Sequence, residues 1–159
     1  MTGVDLDLVG SLVARLDAEA LAPLGRSLAV CVVAAGDCGG CALEVAMLRS
    51  AAYGLAQHGV SVLETPVGAD VLLVSGAMTR SLVGPVRRAL QQMARPRWVV
   101  AVGDCGVDGG VFAGSGALAD AGAGGVGAAV AVDLVVPGCP PEPLVILAGL
   151  RALVAANGG

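Results

Sequence analysis

A chain of 159 residues that is 56% hydrophobic, 14% charged and of mean hydropathy +0.83 has room for one domain with a real core, and more apolar character than that core alone can hide. It does not read as a membrane protein: no uninterrupted apolar run approaches the roughly 18 residues of a span, and Asp104, Asp108, Asp120, Asp133, Glu142 and Arg151 break up the second half. A net charge of −4, no lysine and 2% aromatic residues exclude a nucleic-acid binder, which needs a basic stripe and stacking rings, so the apolar excess is expected to be buried against partner subunits.

Residues 1–25 read as an N-terminal helix ahead of one domain over 26–159. Leu8, Val9, Leu12, Val13, Leu16 and Ala20 form a helical stripe. Asp5 and Asp7 suit the start of that helix, and Pro23 ends it. The stripe packs on the chain's own core or on a partner. A basic start followed by an apolar block is missing, so no secretory leader is expected. That implies a cytoplasmic, reducing setting where disulfides are disfavoured.

Leu28 to Ala35 is a continuous apolar run, the pattern of a strand buried on both faces. Cys31 inside it reads as a small core hydrophobe. The spacing then predicts a helix over 41–57, stopped at Gly59. His58, the single histidine, falls at its end and reads as solvent-facing. Short strands follow at 60–63 and 71–74. Gly84-Pro85 marks a helix start running to about Ala94, with Arg87 and Arg88 on a solvated or partner-facing edge. A strand over 98–102 ends in Gly-Asp-Cys. Residues 106–131 are Gly- and Ala-rich with little periodicity and read as a long irregular connection. A strand over 132–136 leads into Pro-Gly-Cys-Pro-Pro, and a last helix covers 144–155.

Strands alternating with helices predict an α/β fold with a doubly wound parallel sheet of about five strands. In such a sheet all strands end on one edge, where ligands bind. Cys38, Cys41, Cys105 and Cys139 all follow strand ends, so the fold brings them to that edge. Four readings compete for the four thiols: structural zinc, a dithiol made of Cys38 and Cys41 alone, a [4Fe–4S] cluster, or no site at all. Zinc would more usually pair two C-x-x-C units, and a dithiol leaves Cys105 and Cys139 without a role. A cluster takes ligands at flexible spacings, and the glycines around these cysteines, Gly39 and Gly106 among them, supply room and backbone N–H groups.

The ordered set Cys38-x-x-Cys41-x-x-Glu44, Val-Gly-Asp-Cys105 followed by Gly109-Gly110, and Pro-Gly-Cys139-Pro-Pro-x-Pro resembles the small subunit of [NiFe]-hydrogenases and its homologue, the B-type subunit of respiratory complex I. The resemblance runs from about residue 28 to 155 and includes Ala69 to Arg80 and Pro96 to Cys105. It implies a flavodoxin-like domain with Cys38, Cys41, Cys105 and Cys139 as ligands of one [4Fe–4S] cluster. The spaced C-x-x-C is similar to that of short group 4 energy-converting hydrogenases rather than to the adjacent cysteines typical of complex I. The implied partners are a large catalytic subunit, membrane subunits and a ferredoxin-like iron–sulfur subunit, with the chain peripheral on the cytoplasmic face. The implied activity is that of a hydrogenase or NADH:quinone oxidoreductase-like complex, not of this chain alone. The competing reading from another class is a non-catalytic scaffold holding a structural metal on the four thiolates. Glu44, one helical turn from Cys41, is placed as a proton relay or as a helix-start charge. Thr79 and Arg80 fall at the same edge, where Arg80 offsets cluster charge, faces a quinone-like pocket or is a plain surface arginine.

Overall fold

The computed structural model describes residues 27–120 and 124–157, with side chains as far as Leu153. The expected helix over residues 1–25 lies outside the described residues. The elements are β1 (Leu28–Ala34), α1 (Gly40–Leu48), β2 (Val60–Leu63), β3 (Val71–Ser75), α2 (Arg80–Gln92), β4 (Trp98–Val102), α3 (Asp104–Asp108), β5 (Leu134–Val136) and α4 (Pro143–Asn157).

The strands form one sheet in the order β2-β1-β3-β4-β5, and every pairing is parallel. This is the flavodoxin-like order, whose winding direction reverses between β1 and β3. Side-chain alternation sorts the strands onto two cores. Val71, Leu73, Val100 and Val102 face α1 and α4, where they meet Val45, Leu48, Ile146 and Leu150. Leu72, Val74, Val99 and Ala101 face α2, where they meet Val86 and Met93. The central strands are therefore apolar at successive positions because both faces are covered.

Several boundaries differ from the sequence expectation. The helix expected over 41–57 stops at Leu48, and a 3-10 turn over Leu55–His58 follows. Gly54 between them is left-handed (φ 55°), a conformation a continuous helix does not allow. The helix expected from Gly84 begins one turn earlier at Arg80, with Pro85 inside it. Packing of Leu82, Val83, Val86, Ala89 and Leu90 on the sheet outweighs the one backbone bond that proline removes. The last strand starts at Leu134 rather than at 132.

Strand–helix alternation also fails once, between β2 and β3. Leu63, the last residue of β2, is level with Cys31, and Val71, the first of β3, is level with Val30. The chain thus leaves β2 and enters β3 at nearly the same height. Residues 64–70 cross β1 without the long return that two fully overlapping parallel strands need.

Candidate metal centre

Backbone bonds continue the sheet past its strands and fix where each loop departs. Ala35 N–H donates to Ser75 O (2.8 Å), Gly76 N–H to Val102 O (3.4 Å) and Gly103 N–H to Val136 O (2.8 Å). Beyond these ties lie three loops, following β1, β4 and β5, and each carries cysteine. Cys38 and Cys139 are exposed, whereas Cys41 and Cys105 are buried in the first turns of α1 and α3.

Two aspartates hold these loops. The Asp37 carboxylate Oδ1 accepts the Gly39 N–H, closing the turn that starts α1. Asp104 joins the second loop to the third: its N–H donates to Gly138 O (2.9 Å), and its Oδ1 accepts the Gly138 N–H (2.7 Å). The loops of Cys105 and Cys139 are therefore tied to each other. Neither aspartate was singled out from sequence. The signal was there, since Gly-Asp-Cys occurs twice, at 36–38 and at 103–105.

Glycine is required at two points. Gly103 has φ 88°, and a Cβ there would stand 2.5 Å from Cys41 Sγ. Gly36 has φ 119°, and a Cβ there would stand 2.5 Å from Ala77 O and 2.7 Å from Thr79 Cγ2. The first brings the β4 loop against the thiol of the β1 loop, and the second lets β1 leave the sheet beside β3.

The two buried thiols feel the charge of the exposed ones. Burial, then the charges of Asp37, Cys105, Cys38 and Cys139, push the Cys41 thiol up to about 11. Burial also raises the Cys105 thiol, with Cys139, Cys38 and Asp104 adding to it and a backbone hydrogen bond with Val111 opposing. A thiol in such surroundings is held neutral until a cation or metal compensates its charge. Asp37 Oδ2 is buried without a hydrogen-bond partner among the described residues. Among the described residues no three His, Cys, Asp or Glu side chains are placed to hold a single metal ion. Cys31 stands apart. It is 3% exposed, packs in the core on the α2 side, and its thiol is raised by burial and by Glu64.

Thr79 donates its N–H to Ala35 O (3.1 Å), which places it at the same sheet edge. Arg80 Nε donates to Leu118 O (3.1 Å) and so anchors the connection between β4 and β5. Glu44 is half-buried on α1. Gly39 is left-handed (φ 97°) at the start of α1, and Gly106 is buried in α3. His58 is half-buried.

Residues 38–153 match the family described as NADH ubiquinone oxidoreductase, 20 kDa subunit. An uncharacterized protein of Methanocaldococcus jannaschii is 38% identical over 122 residues, which span 77% of this chain and 79% of that protein. Among solved structures, a chain of the membrane-bound sulfane sulfur reductase, an archaeal respiratory membrane complex, superposes with a TM-score of 0.69 at 22% identity, covering 89% of this chain and 73% of its own. A chain of an NAD+-reducing [NiFe]-hydrogenase superposes with a TM-score of 0.61 at 24% identity, covering 82% and 93%. A chain of the [NiFeSe] hydrogenase of Desulfovibrio vulgaris Hildenborough gives 0.60 at 20% identity, covering 86% and 63%. At these identities the structural likeness establishes the fold, and the family match over most of the chain establishes the kinship: the protein belongs to the NADH ubiquinone oxidoreductase 20 kDa subunit family, a family of oxidoreductase-complex subunits.

Proposed function

We propose that Cys38, Cys41, Cys105 and Cys139 ligate one [4Fe–4S] cluster, and that the chain is the electron-transfer subunit next to the active site of a membrane-associated, group 4 [NiFe]-hydrogenase-like complex. The observation that supports this reading is the arrival of four cysteines, on three loops, at one sheet edge, with Gly103 packed against Cys41 Sγ and Asp104 tying the Cys105 loop to the Cys139 loop. A structural zinc site more usually pairs two C-x-x-C units, and here Cys105 and Cys139 stand singly on separate loops. A four-iron cluster gives each thiolate its own iron and takes its ligands at flexible sequence spacings. The cluster supplies one-electron uptake and release. The protein's part is to hold the four sulfurs, with Cys41 and Cys105 on the buried side and Cys38 and Cys139 toward the surface. Backbone N–H groups of the glycine loops and the Asp37 charge tune its potential.

The surface around this edge fits a large catalytic subunit. Leu43 (68% exposed) lies on α1, Leu144 (59%) follows Cys139, and Val111 (79%) and Phe112 (40%) follow Cys105. Such an apolar rim around a redox centre is what a partner interface requires. Glu44 lies within it as a proton relay, and Arg80 with Thr79 borders it. Among the described residues no helix is long and apolar enough to cross a membrane. In this reading membrane association runs through partner subunits, and the neighbouring electron carrier is an iron–sulfur protein of the same complex. A complex I-type role, delivering electrons to quinone, is the second reading, favoured by the family description itself.

Anaerobic reconstitution tests the site. The chain co-expressed with its large subunit is expected to contain about four irons and four sulfides per protomer and a reduced-state paramagnetic signal. Cys105→Ser and Cys139→Ser are each expected to lose that signal. One bound zinc, with no sulfide, overturns the reading in favour of a scaffold.

A further inference from the structure

α2 carries a charge pattern that the cysteine centre does not explain. Between Val71 and Gly103 the chain has five arginines and no acidic residue, although the whole protein is acidic at −4. Arg80, Gly84, Arg87 and Gln91 share one face of α2 by helical spacing, with Arg88 beside them. The opposite face, through Leu82, Val83, Val86 and Leu90, packs on the sheet. Arg95 and Arg97 continue the basic run past the end of α2 and line an open cleft of about 660 Å³, where the Asp133 carboxylate accepts the Val99 N–H.

None of these five guanidinium groups forms an ion pair among the described residues; the ion pair there joins Arg49 to Glu64. Three are instead pinned by backbone carbonyls. Arg80 Nε donates to Leu118 O, Arg87 Nε to Ala129 O, and Arg97 NH1 to Met93 O, at 3.1, 2.8 and 2.9 Å. Each keeps further N–H donors for an outside acceptor. The charges are thus held in place in advance, which lowers the cost of docking.

We propose that the outward face of α2, extended by Arg95 and Arg97, docks an acidic protein that exchanges electrons with the cysteine centre. The electron exchange rests on the reading given above; the docking does not. Length argues for a protein surface, because α2 alone spans about 20 Å, longer than a small anion. No large exposed hydrophobic residue lies on α2 to enter a membrane, and no aromatic residue lies there to stack on bases. The face also begins at the site: Thr79, just before α2, bonds Ala35, two residues before Asp37. Charge-steered contacts of this kind are common in transient redox encounters.

The test uses the full chain and a fluorescently labelled bacterial-type ferredoxin, a small acidic protein, with binding read by anisotropy. Binding at about 20 mM salt should weaken by about 10-fold or more at about 300 mM salt. Arg88→Glu with Arg95→Glu should weaken it by a similar factor. Neither residue makes a hydrogen bond among the described residues, so an unchanged melting temperature should accompany that loss. Arg49→Gln, away from this face, should leave binding unchanged. Full binding by the double variant, or binding to phosphatidylglycerol vesicles or duplex DNA but not to ferredoxin, overturns the proposal. Because binding is read without the cluster, the two readings fail separately: zinc without sulfide in a chain that still binds ferredoxin sinks only the cluster, and iron- and sulfide-loaded chain without charge-dependent binding sinks only the docking.

Discussion

β3 and β4 differ from the loops that leave them in what holds them in place. Leu72, Val74 and Val100 are fully buried and are held by apolar contact within the two layers that cover the sheet. Gly103, Asp104 and Asp37, a few residues away, hold their loops through backbone angles and polar contacts with glycines. The first region tolerates exchange among apolar residues of similar volume. The second accepts no such exchange, because each position meets one steric or hydrogen-bonding condition. Stability and site assembly should therefore be separable.

The largest effect on stability is expected in the strands. Leu72→Ala should cost roughly 2–5 kcal/mol, as large-to-small changes in a closed core do. Thermal unfolding would show this, and any iron bound should leave only as the protein melts. If the variant instead loses iron while its melting point holds, strand and loop are not separate. Next is Gly103→Ala, which puts a side chain at φ 88° and against Cys41 Sγ. Strain of about 1–3 kcal/mol is expected, and, if the four cysteines hold the proposed cluster, iron content should fall by half or more. Normal iron loading there would show that the β4 loop can move away from Cys41.

Asp104→Ala should cost about 1–2 kcal/mol by removing the acceptor of the Gly138 N–H. Its more telling effect should be on iron retention, since the Cys105 and Cys139 loops then move independently. Asp104→Asn, which keeps an acceptor, should restore most of it. The smallest effect belongs to Cys31→Ala, at roughly 1 kcal/mol for one small buried group. Iron and sulfide contents should match the unaltered protein. Any loss of cluster in that variant would mean that Cys31 had been wrongly set apart from the ligands.

The sequence alone was enough for the sheet and for the edge to which the cysteine loops come. Apolar runs at 28–35, 71–74 and 98–102 are local statements about burial, and burial on both faces requires helices on both sides. Loops that follow strand ends share an edge by topology, because parallel strands finish on one side. Cys31 was legible as core because it sits inside such a run rather than after it. Boundaries governed by one glycine or by packing were not legible in this way. The helix after Cys41 stops at Leu48, and α2 begins at Arg80, because the sheet decides which turns are rewarded.

What only the tertiary structure decided is the pairing of groups far apart in the chain. Asp104 meets Gly138 across 34 residues, Gly103 lies against Cys41, and Arg80 meets Leu118 across 38 residues. The stagger of β2 and β3 that removes a crossover helix is likewise a matter of register. Hydrophobic patterning records which face a residue shows, because that preference belongs to each side chain separately. A hydrogen bond or a steric fit depends on two places at once, and no single stretch of sequence holds both.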